Sequence, residues 1–101
     1  MYKLFLDDER WPTRTEGVLI VRSSQEAINA TRTFGCPGYV DFDHDLGGDD
    51  TSMRYVNWLI GQDLDNFGGF IPKDFTFDVH SQNPEGARNI RAKLDRYLDQ
   101  R

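Results

Sequence analysis

The stretch Tyr39-Val40-Asp41-Phe42-Asp43-His44-Asp45-Leu46-Gly47 decides how the remaining elements fit together. It begins as an extended run, is closed by Gly47 and Gly48, and delivers three carboxylates and an imidazole to one place. Strand alternation sends Asp41, Asp43 and Asp45 to one face and His44 to the other, where it packs beneath the sheet edge. Three neighbouring carboxylates repel one another, so a raised pKa, solvent exposure or a bound cation must offset that repulsion. A second acidic run, Asp7-Asp8-Glu9, follows another short apolar segment. If the two acidic strand ends converge, a magnesium site is the natural reading.

Outward from this centre, strands and helices alternate. Lys3 to Leu6 reads as a buried strand, Val18 to Val21 as a strand covered on both faces, and Phe75 to Val79 as a fourth strand ending at His80. Ser23 and Glu26 form a capping box for a helix over 24–34, stopped by Gly35 and Pro37. A second helix is expected over 51–61, ended or interrupted by Gly61, with 63–73 as loop. Asn83 before Pro84 supplies an N-cap and a first-turn proline for a third helix over 84–99. This order predicts an α/β fold with a four-stranded, mainly parallel sheet flanked by about three helices. Parallel strands put their carboxyl ends, and with them Asp7, Asp8, Asp43, Asp45, His80 and Ser81, on one edge. One connection strains the scheme, because residues 9–17 must make a parallel crossover without a helix.

Composition excludes several classes. The 101 residues suit one domain spanning 1–101, and 13% aromatic content is too high for a disordered chain. A net charge of −5 argues against broad nonspecific nucleic-acid binding, since a phosphorylated ligand then needs a cation or a local basic site. A single cysteine, Cys36, leaves no internal disulfide, no apolar run approaches the roughly 18 residues that span a bilayer, and the start lacks a signal peptide's apolar segment. A cytoplasmic protein is expected.

Three motifs in order, Leu-Asp-Asp-Glu-Arg-x-Pro at 6–12, Asp-x-Asp-Leu-Gly at 43–47 and His-Ser-x-Asn-Pro-x-Gly at 80–86, resemble the cyclic-phosphate-processing receiver domains of bacteria and phages. The resemblance implies a reduced, flavodoxin-like three-layer receiver fold acting on cyclic phosphates of nucleotides or RNA ends. It implies that Asp7 and Asp8 hold magnesium (or manganese), that Asp43 is the phosphoacceptor position, that Asp45 falls where a backbone carbonyl meets the metal, and that Ser81 supplies a hydroxyl. The fifth strand of true receivers, with its lysine, is missing, which argues against ordinary phosphoryl signalling. Asp43, His80 and Ser81 are therefore the catalytic candidates, Ser81, Asn83 and Arg10 the phosphate-binding ones, and Asp7, Asp8, Asp43 and Asp45 the metal ligands. His80, as an imidazole titrating near neutrality, is the expected proton carrier.

Each feature also has a plain structural reading. Asp7-Asp8-Glu9 can be a solvated loop, Asn83 caps a helix whatever else it does, and His80 can satisfy a buried hydrogen bond. The basic residues Arg88, Arg91, Lys93, Arg96 and Arg101 suit a solvated helix face. A metal-assisted phosphoesterase and a receiver-derived module that binds a phosphorylated ligand or protein partner without turnover use the same residues, and the sequence does not separate them.

Overall fold

The computed structural model describes all residues from Met1 to Arg101. Four short strands, β1 (Lys3–Leu6), β2 (Val18–Val21), β3 (Tyr39–Phe42) and β4 (Thr76–Val79), form one all-parallel sheet in the order β2-β1-β3-β4. Helix α1 (Ser24–Phe34) starts where expected. The Ser23 hydroxyl accepts from the Glu26 amide, and the Glu26 carboxylate reaches back to the Arg22 amide, one residue beyond the usual capping-box partner.

Helix α2 (Met53–Asp65) departs from the expected bounds by running through Gly61 for another turn. An interior glycine costs a helix only about 0.5–1 kcal/mol. Tertiary bonds offset that cost, because Asp63 is fully buried and accepts from the amides of Phe70 and Ile71 at 2.9 and 2.7 Å. Helix α3 (Pro84–Gln100) starts on Asn83, whose side chain accepts from the Gly86 amide at 3.0 Å. No helix is long and apolar enough to cross a membrane.

One hydrophobic cluster holds the domain together. Leu4, Leu6, Val40 and Phe42 point from the sheet into Ala27, Ile28, Tyr55, Val56, Leu59, Ile90 and Leu94, residues drawn from all three helices. Helix α2 packs between α1 and α3, so the helices form a single layer on one sheet face. The expected third layer is absent for a physical reason: the β1–β2 crossover, which would cover the other sheet face, is an extended loop and not a helix. Val18 and Ile20 are accordingly half-buried and not covered on both faces. The loop does span the crossover. It is tied by Lys3 N–H to the Gly17 carbonyl at 3.0 Å and by Asp7, whose Oδ1 accepts from the amides of Glu9 and Arg10, both at 2.9 Å.

The start of α3 is fitted closely to the β3 end. A Cβ on Gly86 would lie 2.4 Å from Cγ of His44, whose ring covers this turn as expected from its place on the core side. Gly86→Ala should destabilise the domain by about 1–3 kcal/mol in urea unfolding. Adding His44→Ala should restore much of that loss, and an unchanged midpoint in the single variant would contradict the packing.

Candidate active site

Three residues stand one position beyond their strands, yet each still extends the sheet's hydrogen bonding. Asp7 N–H donates to Val21 O at 3.1 Å, Asp43 N–H to Leu6 O at 2.8 Å, and His80 N–H to Phe42 O at 2.8 Å. This register carries the alternation past the strand ends and turns all three side chains to the helix-free side, in line with Phe5, Asp41 and Asp78. One ligand-type atom from each of Asp7, Asp43 and His80 lies within 4.8 Å of the others.

His80 is held on three sides. Its Nδ1 is 2.5 Å from Oδ1 of Asp41, its Nε2 is 2.8 Å from Oδ2 of Asp7, and its ring stacks on Phe5 at 5.0 Å and 6°. A ring with a carboxylate at each nitrogen is satisfied only as a doubly donating imidazolium. Burial would lower its pKa, but the bonds to Asp41 and Asp7 outweigh burial and raise it. The expectation of an imidazole titrating near neutrality gives way to one that stays charged to higher pH.

The two central carboxylates are not equivalent. Asp7 is buried, which alone would raise its pKa, but the Arg10 and Glu9 amides and His80 bring it below the ordinary value. Asp43 is pushed up by burial and by the charge of Asp7, against the Ser81 hydroxyl, His80 and Arg10. Asp45 leaves this face because regular pairing ends at Phe42; its exposed carboxylate meets Nδ1 of His44 at 2.8 Å and Nδ2 of Asn83 at 3.4 Å. Its pKa is lowered, mainly by His44.

Asp7, Asp8, Glu9, Arg10, Asp43, Asp45, Gly47, Ser81, Gln82 and Asn83 line one cleft of about 400 Å³ with no hydrophobic residue. The structure thus brings together every nominated metal and phosphate residue. His80 stands beside them, lining the adjoining cavity with Asp41. The Ser81 hydroxyl accepts from the Asn83 amide at 3.0 Å, fixing the turn into α3. Sequence reasoning does not reveal Asp41 as the second partner of His80, which follows from the β3–β4 register. It also missed Arg22, whose guanidinium donates to the carbonyls of Asp7 and Arg10 at 3.0 and 2.5 Å and fixes the acidic loop.

The donor set suits a hard divalent cation. Five acidic residues face a cleft whose one cationic lining residue is Arg10, and the oxygens of Asp7 and Asp43 lie close together. His80 fits poorly as a ligand, since both nitrogens are engaged by carboxylates.

An all-parallel α/β domain with paired acidic strand ends at the sheet's carboxyl edge is a receiver-like domain. The chain matches the family described as the cyclic-phosphate processing receiver domain over residues 2–96, and it belongs to that family. No curated protein and no solved structure matches it.

Proposed function

We propose that this domain hydrolyses a cyclic phosphate, or a related phosphate ester, of a nucleotide or RNA end, with magnesium or manganese held by Asp7, Asp8 and Asp43 and by the chain at Asp45. The observation that carries the reading is the wholly polar cleft in which these carboxylates face Ser81, Arg10 and the Asn83-capped start of α3. An anionic ester would be repelled from this cleft by its five acidic residues. A bound cation would offset that charge and stabilise a phosphoryl oxygen.

The chain's own groups do the rest. Arg10, the Ser81 hydroxyl and the helix start hold the remaining phosphate oxygens. Water forms the new bond to phosphorus and gives its proton to solvent in the open cleft, while the ester P–O bond breaks. His80, whose two carboxylate partners favour its protonated form, gives the leaving oxygen a proton and regains one from solvent. The products are a phosphomonoester and a free hydroxyl.

A non-catalytic binding module is the second reading, and one observation favours it: both His80 nitrogens are tied to carboxylates, so its proton is shared before any substrate arrives. Incubation with cyclic mononucleotides and cyclic-phosphate-ended RNA, with and without magnesium, tests the two. The expected result is magnesium-dependent ring opening, with calorimetry showing weaker magnesium binding in Asp43→Asn than in wild type. No product from any ester would remove the hydrolytic reading.

A further inference from the structure

The helix-free face of the sheet carries a second cavity, of about 970 Å³, between β1, β3 and the crossover loop. Its size falls within the range typical of small-molecule sites. It lies beside the acidic cleft. Arg10 lines both, and His80, in the wall of this cavity, bonds through Nε2 to Asp7 in the wall of the other. An ester whose phosphate lies in the cleft must send its organic part to solvent or into this space.

Trp11 gives the cavity a specific character. Its side chain is 72% exposed, yet it is held in place: the Arg22 guanidinium lies 4.8 Å from the ring centroid and is itself bonded to the carbonyls of Asp7 and Arg10. The Arg22 contact gives the indole a defined place while most of its surface stays open to the cavity and solvent, which suits it to stacking on a ligand. Across the cavity, Tyr39 and Asp41 line it from β3. Asp41 uses Oδ1 for His80, and its other oxygen is available to a donor on a ring edge. Lys3, Arg10 and Arg14 outnumber Glu16 and Asp41 in the lining, opposite to the charge balance of the cleft.

We infer that this cavity is a nucleobase subsite, in which the base of the ester stacks on Trp11 while its phosphate occupies the acidic cleft. The inference rests on the active-site reading above and adds to it the place where the base is held. Stacking on an aromatic side chain is tolerant of base identity, whereas contacts to Asp41 favour ring edges that donate.

Binding measured with magnesium present, for adenosine, guanosine and uridine monophosphates, ribose 5-phosphate and inorganic phosphate, tests it in wild type and Trp11→Ala. The nucleotides should bind wild type about tenfold more tightly than ribose 5-phosphate. Trp11→Ala should remove that advantage and leave ribose 5-phosphate binding and the unfolding midpoint unchanged. Free nucleosides should shift the Trp11 indole N–H resonance, which supports the subsite even if no ester is turned over. Equal binding of nucleotides and ribose 5-phosphate to wild type overturns the subsite while leaving the cleft reading standing. A Trp11→Ala variant that weakens all phosphates alike also overturns it, by showing that Trp11 only positions the loop, and binding of none of the probes overturns both readings.

Discussion

Replacing His80 by glutamine is expected to cut turnover of a cyclic phosphate by about 100- to 10,000-fold, the usual contribution of a positioned proton donor, with little change in ligand affinity. Glutamine can still bond to Asp41 or Asp7, the two carboxylates that hold the imidazole at 2.5 and 2.8 Å, so the site's geometry is largely kept while the acidic proton is lost. His80→Ala should lose turnover as well, but it leaves buried Asp7 without a partner on Oδ2 and is expected to weaken magnesium binding too. Asp43→Asn should damage binding and turnover together, because it removes charge from the paired carboxylates. The informative quantity is the split between the rate and the affinity. If His80→Gln turns over like wild type, the imidazolium only positions Asp7; if it weakens ligand binding as much as Asp43→Asn does, the binding-module reading takes the place of the catalytic one.

The site was legible because its residues are tied to strand ends. Asp7, Asp43 and His80 each stand one position beyond the last residue of a strand, and parallel strands make that position common in space. Family membership adds the function class, while the local chemistry comes from register. Nothing in a single sequence pairs Asp41 with Asp78, yet that pairing puts Asp41 beside His80 and, with Asp7, raises the pKa of a ring expected to titrate near neutrality. The same limit explains Asp45, which alternation alone would carry to the shared face: pairing stops at Phe42, and Asp45 turns out to His44 and Asn83. The crossover over 9–17 was legible as a loop, but the number of layers also depends on which sheet face each of the three helices takes, and only packing decides that. The end of α2 was hidden by Gly61 and by the run of turn formers that follows it, although the buried group that overrides them, Asp63, was in plain view as an apparently solvated loop residue.

Asp63→Ala is expected to destabilise the domain by about 3–5 kcal/mol, a large share of the roughly 5–15 kcal/mol that holds a domain folded. The carboxylate sits in the last turn of α2, where the helix dipole disfavours negative charge, so its partners must hold it there. They come from two directions. The amides of Phe70 and Ile71 bring the 66–73 segment to Oδ1, while the Tyr97 hydroxyl at 2.7 Å and the Arg101 guanidinium at 3.2 Å bring the end of α3 to Oδ2, so Arg101 turns inward to a buried charge and is not on the solvated face expected of it. Alanine would leave two amides without acceptors, at about 1–3 kcal/mol each, and free Arg101 from its charge partner. Asparagine keeps an acceptor for the amides and should cost less than alanine. The linkage to pH follows from the direction of the shift. Burial alone would raise the Asp63 pKa, but the bonds from Ile71, Tyr97, Phe70 and Arg101 bring it below its ordinary 3.8. A depressed folded pKa contributes stability that is present above the unfolded value and is lost as pH falls through the folded one, so wild type should lose this contribution below about pH 4. Urea midpoints measured between pH 3 and 7 should therefore converge for wild type and Asp63→Asn at the acid end and separate at neutral pH, with unchanged m-values. Parallel curves across the whole range would mean that the charge of Asp63 contributes nothing and that shape alone joins α2 to α3.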